Sequence, residues 1–510
     1  MAGNSEERNE ILEIVLKRNI LIPSNEIYGT TGGFYDYGPV GAAIKRKIQH
    51  EWRKFIIQRD GFHEIETSLI LPEIVLKASG HVSHFTDPIV TCVKCKGKFR
   101  ADKLLEEKTG KNYDGLPPDD LAQQLVHEKV ACPNCKGKLE QVAAFNLMFK
   151  TNIGPVADNA GYNRPETAQG IFLDFPRIFR NYGSKLPIGI AQIGKSFRNE
   201  ISPRQGLVRL REFTQMELEY FFDPTAPKME NFASIAKQKI RIYTRAEQEK
   251  GEKGSGKITE KTAEDFVKDK TIPNEIQAYF IARATQFYLH LGLPQEKFWF
   301  RHLRQNETPH YSGGNFDLEF VTSYGKIETI GIAYRTDFDL KSHSEMSKQD
   351  LSVFIEERKA KILPYVVEPS FGVDRLLWCI LETAYRNGGK GDIEGRDWAW
   401  FDFSPVIAPY DCAIFPLMKK DGLSEKAEEL YQQLLEQGIE AFYSETGSIG
   451  KRYARADEIG VPYALTIDYD SLQKGDCTIR FRNDGKQERI KLSEVADKIK
   501  EFKKKRKVTL

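Results

Sequence analysis

Residues 186–222, LPIGIAQIGKSFRNEISPRQGLVRLREFTQMELEYFF, concentrate groups able to do chemistry. Two strand-like runs flank a loop with Pro203 and Gly206, which predicts an antiparallel hairpin. Alternation on the second strand puts Phe213, Gln215, Glu217 and Glu219 on one face and Thr214, Met216, Leu218 and Tyr220 on the other. The Met216 face suits a core. Carboxylates beside an amide and an aromatic ring cost free energy unless a cation or ligand satisfies them. Arg198, Arg204, Arg209 and Arg211 crowd the loop. Acids and bases converging on one hairpin suit a phosphorylated ligand that also carries an ammonium group; a surface hairpin with solvated charges is the alternative.

A second stretch, residues 365–382 (YVVEPSFGVDRLLWCILE), reads as a strand, a Pro-Ser-Phe-Gly turn and a helix with Leu376, Leu377, Ile380 and Leu381 on its apolar face. Glu368 and Ser370 stand at the strand end. Arg375 lies in the first helical turn, where an anion also meets the positive end of the helix dipole. A plain ion pair with Asp374 or Glu382 is the other role open to it. Third, CVKC and CPNC supply Cys92, Cys95, Cys132 and Cys135, two turns that can each bring a pair of thiolates to one tetrahedral ion. The 36 residues between the pairs exceed a compact ribbon's spacing, so an elaborated pair of knuckles holding structural zinc is expected. Disulfides and unliganded thiols are the alternatives. His127 is a possible substitute ligand, and Cys379, Cys412 and Cys477 lie in apolar runs that predict burial.

These groups need a scaffold. Ile11, Ile14, Val15 and Leu16 share one face of an N-terminal helix. A Gly- and Tyr-rich loop, GGFYDYGPVG, leads to a long amphipathic helix from Val40 to Arg59 carrying Ile44, Ile48, Trp52, Phe55 and Ile56. GFHEIETSLILP reads as a strand ending at Pro72. The pattern divides the chain into 1–90 and 141–222 as core, 91–140 as a zinc-binding insertion, 223–300 as a helical insertion, 301–402 as core, and 403–510 as a small α/β domain.

Composition excludes several classes. Hydrophobic residues make up 40% and charged residues 29%, which rules out global disorder. A net charge of +2 rules out a polycation, so nucleic acid must be met by local patches. No apolar run is long enough to span a membrane, and the N-terminus lacks a secretory core, so a cytoplasmic protein is expected. Seven cysteines in a long chain argue against disulfide stapling.

GFHEIETSLILP, FRNE–loop–RLREF and the Gly-x-x-Arg helix start are similar to motifs 1, 2 and 3 of class II aminoacyl-tRNA synthetases. GGFYDYGPVG, RPETAQGIF, QIGKSFRNEISPRQGLVRLREFTQMELEYFF, GIAYRTDFDL and VEPSFGVDR together resemble the dimeric glycyl-tRNA synthetase family, over residues 20–470 apart from the insertions. The resemblance implies an α+β fold, an antiparallel sheet flanked by helices, with ATP-dependent activation of glycine, transfer to tRNA(Gly), a homodimer built on motif 1, and no editing domain. It implies Arg198 and Arg375 as the catalytic pair. ATP would be held by Arg198, Asn199, Glu200, Val208, Arg209, Leu210, Arg211, Glu212, Phe213, Glu328, Thr329, Gly372, Val373, Asp374 and Arg375, with Mg2+ near Glu328. Glycine would be held by Arg100, Glu166, Phe213, Thr214, Gln215, Met216, Glu217, Arg335, Glu368, Pro369 and Ser370. The C-terminal unit resembles an anticodon-binding domain, with Lys451, Arg452 and Arg455 on one helical region and a basic tail, EFKKKRKVTL. Two other readings remain. A binding paralogue without catalysis should have lost some of Arg198, Glu200, Arg209 and Arg375, all of which are present. A ligase for another small amino acid is the second.

Overall fold

The alternation in residues 186–222 produces two strands, Ile188–Phe197 and Glu212–Phe222, paired antiparallel from Ile188 opposite Phe221 to Phe197 opposite Glu212. The computed structural model describes residues 5–111, 113, 115–155, 159–201, 203, 206–252, 255–305, 307, 314–388 and 396–505. Arg204, the GEKGSGK residues 253–254 and the last five residues of the basic tail lie outside this set. The hairpin belongs to a nine-stranded sheet ordered Thr259–Thr262, Lys239–Tyr243, Phe298–His302, Asn315–Thr322, Gly325–Thr336, Tyr365–Gly372, Glu212–Phe222, Ile188–Phe197, His63–Glu64. Pairing is antiparallel except between Lys239–Tyr243 and Phe298–His302 and between Ile188–Phe197 and His63–Glu64.

One face of this sheet buries Met216, Leu218 and Tyr220 with Trp52, Phe280, Phe287, Phe371 and Trp378 in the main core. The other face carries the carboxylates and then runs into a smaller apolar cluster of Phe172, Phe175, Ile190, Phe221 and Val366. The long N-terminal helix spans Pro39–Trp52 and continues as a wider π turn over Arg53–Gln58, keeping Phe55, Ile56 and Ile57 buried. In the first helix, Ser5–Lys17, the structure buries Ile11, Ile14 and Val15 but leaves Leu16 exposed.

Three expectations are corrected. GFHEIETSLILP is not one strand: His63–Glu64 joins the main sheet and Ile70–Pro72 pairs with Ala160–Asn163 in another. Thr67 sits at the break. Its backbone N–H donates to Gln192 Oε1 at 2.7 Å, and its side chain fills the space where a Cβ on Gly170 would stand. Residues 223–300 are no separate insertion, because Lys239–Tyr243 and Thr259–Thr262 extend the main sheet. Glu275–His290 is buried along nearly its whole length, as a helix apolar on most sides must be. The cysteine-bearing unit starts earlier than residue 91: Thr86–Thr91 is the central strand between Lys98–Arg100 and Ala143–Asn146. Helices Ala101–Thr109 and Pro118–His127 cover it, with Val90, Leu105, Leu121 and Leu125 as its own core.

The C-terminal unit is a five-stranded mixed sheet ordered Ala441–Tyr443, Cys412–Pro416, Tyr463–Ile467, Asp476–Phe481, Gln487–Lys491. The helices Leu423–Glu436 and Ile449–Glu458 belong to the same unit. Arg452, grouped by the sequence with Lys451 and Arg455 on a basic helical region, is instead a buried strut. Its guanidinium donates to the carbonyls of Pro416 and Leu417, whereas Lys451 is exposed. Cys379, Cys412 and Cys477 are buried, and His127 is exposed beside Glu128. Among the described residues no helix is long and apolar enough to cross a membrane.

Candidate active site

The hairpin needs a clasp before its side chains can point anywhere fixed. Gly33, at φ +83°, supplies one: its carbonyl accepts from the backbone N–H of Arg211 at 2.9 Å, and a Cβ there would stand 2.8 Å from Pro203. Arg211 also donates to the Gly32 carbonyl at 2.6 Å and to the Glu200 carbonyl at 2.8 Å. Buried Arg164 ties the hairpin from behind, reaching the Lys195 carbonyl at 2.8 Å, Gln192 Oε1 at 3.0 Å and the Thr67 carbonyl at 3.1 Å. Asp374 joins the helix Val373–Ala384 to the hairpin by accepting from the Thr214 N–H at 2.5 Å, from Lys45 at 3.1 Å and from the Tyr37 hydroxyl. Burial pushes the Asp374 carboxyl up, but Lys45 and these donors outweigh it and hold the group below its usual range.

The result is one cavity of about 270 Å³ with opposite charges at its two ends. The basic end holds Arg198, Arg209 and Arg375 around Val208, Leu210 and Gly372. Arg198 lies between the rings of Phe85 and Phe213, 5.2 and 5.3 Å from their centroids, which fixes the guanidinium plane. Arg375 is braced by the carbonyls of Val208 at 3.0 Å and Glu328 at 2.7 Å. Arg209 lies 3.8 Å from Glu200.

The acidic end is built by register. Glu217 stands opposite Ser370, and Ala333 stands opposite Glu368. Glu217 accepts from Ser370 Oγ and Gln215 Nε2, both at 2.6 Å, and from the Thr167 N–H at 2.9 Å. Arg335 is the guanidinium set among these acids. It grips Asp339 with two bonds of 2.8 and 3.0 Å, Glu368 at 2.5 Å, and approaches Glu166 at 3.6 Å. Burial pushes the Glu166 carboxyl up, yet His81 and Arg335 beside it and the bond from Gln169 hold it well below the ordinary range. Burial, opposed by Arg335 and reinforced by Glu217 and Glu166, brings Glu368 to about 7. Burial and the Glu166 charge raise Glu217. Carboxylates gathered in excess of the cations beside them, Arg335, Arg164 and His81, form a nest that a further cation can enter.

Of the residues singled out in the sequence, Arg198, Glu200, Val208, Arg209, Leu210, Phe213, Thr214, Gln215, Glu217, Glu328, Thr329, Arg335, Glu368, Ser370, Gly372, Asp374, Arg375 and Glu166 line this cavity. The others do not, for separate reasons. Met216 is on the core face of its strand, as alternation demands. Pro369 falls between Glu368 and Ser370 and faces away with Phe371 into the sheet. Val373 is buried in the core. Arg211 is consumed by the loop clasp, Glu212 pairs with Lys195 at 2.9 Å, and Asn199 donates its N–H to the Leu147 carbonyl. Arg100 lies in the cysteine-bearing unit, held by Asp102 at 3.0 Å and Asp87 at 3.2 Å. The sequence reading missed Asn315 and Asp317, which line the cavity, and Phe85 and His81. For Asn315 and Asp317 the only signal was a strand alternation in NFDLEF; for His81 and Phe85 there was none, and the fold brings all four in.

The four cysteine sulfurs lie within 4.8 Å of one another. Cys92 to Cys135 is 3.5 Å and Cys95 to Cys132 is 3.6 Å, too long for disulfides and close to the edge of about 3.8 Å expected for four thiolates at zinc-like distances. The two turns are built alike: Cys92 N–H bonds Gly97 and Cys132 N–H bonds Gly137, with Lys96 and Lys136 both at positive φ.

Comparison with known proteins finds relatives along nearly the whole chain. The family description "tRNA synthetase class II core domain (G, H, P, S and T)" matches residues 158–384, and "Anticodon binding domain" matches residues 411–502. A glycine–tRNA ligase of Methanothermobacter thermautotrophicus is 37% identical, over 95% of this chain and 97% of its own. A glycine–tRNA ligase of Methanocaldococcus jannaschii is 38% identical, over 96% of this chain and 98% of its own. The chain belongs to the glycine–tRNA ligase family. A solved structure of Giardia lamblia prolyl-tRNA synthetase with prolyl-adenylate aligns with a TM-score of 0.61 at 15% identity, covering 99% of this chain and 81% of that one, which shows a shared fold. Within the glycine–tRNA ligase family, the hairpin and the Gly372–Arg375 helix start of this chain occupy the class II core match, and the five-stranded unit the anticodon-binding match.

Proposed function

We propose that the cavity activates glycine with ATP and that the chain then transfers glycine to tRNA(Gly). The observation that carries this reading is one cavity lined both by Arg198, Arg209 and Arg375 and by Glu166, Glu217 and Glu368, the last three gathered around Arg335 and Ser370. The glycine carboxylate is itself the nucleophile. Its oxygen attacks the α-phosphorus of ATP, a C–O–P linkage forms, the bond to the β-phosphate oxygen breaks, and pyrophosphate leaves. No side chain needs to remove a proton, so the protein supplies orientation and positive charge. Arg198 holds the α-phosphate, Arg209 and Arg375 the outer phosphates, Glu200 the adenine end and the backbone at Leu210 the base. The acidic end holds the ammonium group, with Arg335 fixing Glu368 and Glu166. A terminal hydroxyl of tRNA then attacks the carbonyl and AMP leaves.

Selection is steric: a pocket packed around an ammonium rejects an added methyl, and no larger side chain has room. ATP–pyrophosphate exchange driven by glycine, with alanine and serine at least about 100-fold weaker in kcat/KM, is the expected result. Equal exchange with all three would defeat the glycine assignment, and none at all would favour a binding paralogue.

Magnesium fits beside Glu328 and Asp317. Burial and the Glu328 charge raise Asp317 well above its usual range against the pull of Arg301, so two neighbouring carboxylates are available to a hard cation. Such an ion draws charge off the phosphate oxygens. The cysteine set fits zinc, which closes the fold of the 86–146 unit and leaves no open position for catalysis. A cytoplasmic setting keeps those thiols reduced. One zinc per chain is expected in the wild type, falling below about a tenth in Cys92→Ser and in Cys135→Ser, as measured by metal analysis. Unchanged stoichiometry would rule the site out. Leu69, Ile70 and Ile74 expose apolar surface around Pro72, which fits a homodimer seated on this segment; sedimentation at twice the 58.4 kDa chain mass checks it.

A further inference from the structure

We propose that Glu219 is a neutral carboxylic acid whose O–H donates to Glu368 and so positions that carboxylate for the substrate's ammonium group. It is a positioning residue beneath the pocket, and the inference rests on the glycine reading above. Glu219 lies one step deeper than Glu217 on the same face of Glu212–Phe222, and it is fully buried. The register that sets Glu217 opposite Ser370 and Tyr220 opposite Val367 sets Glu219 opposite Glu368. Two ionised carboxylates directly opposite on neighbouring strands repel.

The hydrogen-bond inventory decides which form is present. Among the described residues, neither oxygen of Glu219 has a donor to accept from. By the strand register the group facing it is the carboxyl of Glu368. Two carboxyl groups bond only when one keeps a proton. Glu368 already accepts from Arg335 Nη1 at 2.5 Å, so Glu368 is the ionised member and Glu219 the acid. The surroundings agree. Ile190 pairs with Glu219 across the hairpin, and Phe175, Phe221 and Val366 lie below, so an ion there would face apolar side chains. The charged and titratable groups around it are Glu217 on its own strand, Glu368 on Tyr365–Gly372, Arg335 on Gly325–Thr336, Glu166 before the helix Ala168–Asn181, and Asp339 and His343 on Phe338–Ser347. Arg335, with Arg164 near Glu217 and His81 near Glu166, does not offset the five carboxylates Glu166, Glu217, Glu219, Asp339 and Glu368. Burial, then Glu368, pushes Glu219 well above the ordinary carboxyl range.

A protonated floor has two uses. It turns one oxygen of Glu368 toward Glu219 while Arg335 holds the other, which fixes the carboxylate plane below the ammonium. It also keeps a fourth negative charge out of a pocket that would otherwise attract any small cation.

Glycine-dependent exchange in wild type, Glu219→Leu and Glu219→Gln separates the possibilities. Leu removes the donor at similar volume and is expected to raise KM for glycine roughly 10- to 100-fold, the loss of a bond to an ionised acceptor, while KM for ATP stays within about twofold. Gln restores an N–H donor without a charge and is expected to bring KM for glycine back to within about threefold of wild type between pH 6 and 9. A Gln variant as poor as Leu would overturn the inference, because the charge and not the donor would then matter. So would a Leu variant that binds glycine normally. If Leu does not fold, the Gln result decides alone. Failure of glycine-dependent exchange in the wild type would instead defeat the glycine reading itself.

Discussion

Replacing Arg335 with methionine is expected to lower the melting temperature by on the order of 10 °C and to abolish glycine-dependent exchange. The guanidinium is 4% exposed and touches Asp339, Glu368 and Glu166, three acids that no other described arginine contacts in common. Methionine fills the space but leaves buried carboxylates unpaired, and removing one partner of such a set costs about 3–5 kcal/mol. The pocket also loses its shape, because Glu368 is aimed by the bond from Arg335 Nη1 and Glu166 by its approach to Arg335 and by Gln169 Nε2. Arg335→Lys keeps the charge and loses the fork on Asp339, so it should recover part of the stability and little of the activity. Calorimetry alongside exchange kinetics checks both. A methionine variant that melts like the wild type would show that the acids relax into solvent, and the preorganised ammonium pocket would fall with it.

The parts of this site that the sequence exposed are those where one strand carries the information. Period-two alternation in FTQMELEYFF separates the Glu217 face from the Met216 face before any fold is known, and the structure puts Met216 in the core and Glu217 in the cavity. The convergence of arginines on the hairpin loop is likewise local. What stayed hidden depends on partners far apart in sequence. Asp374 reads in VDRLL as a partner for Arg375 or an ATP-site group, yet it is spent on Tyr37, Lys45 and the Thr214 N–H. Arg211 looks equivalent to Arg209, yet the Gly32–Gly33 turn takes its donors. Asp317 joins the cavity only because Asn315–Thr322 pairs with Gly325–Thr336. Composition misled over residues 223–300: charged connections outnumber the apolar positions, but Ile240, Ile242 and the buried face of Glu275–His290 are enough to fix those elements to the main sheet. GFHEIETSLILP misled in the opposite way, since its alternation continues past Thr67 although the chain changes sheets there.

Arg198→Ala should cut the exchange rate constant by roughly 100- to 1,000-fold while leaving KM for glycine little changed. The charge that builds during attack lies on the oxygens of the α-phosphate, and a donor aimed at that charge contributes more in the transition state than in the ground state. The structure holds Arg198 ready for such a task. Its ring contacts with Phe85 and Phe213 and its bond to the Pro165 carbonyl fix the plane before any substrate arrives. Arg198→Lys is therefore a poor substitute, because an ammonium neither stacks as a plane nor presents two parallel donors. Arg375→Ala should behave differently. Arg375 is braced by the carbonyls of Val208 and Glu328 at the outer edge of the cavity, so it meets phosphates already bound and its loss should appear mainly in KM for ATP. The split between the two variants tests the orientation of the nucleotide. Exchange retained within about threefold in Arg198→Ala would remove the α-phosphate from that residue, and a loss confined to KM in both variants would place the whole triphosphate, not its reacting atom, among the guanidinium groups.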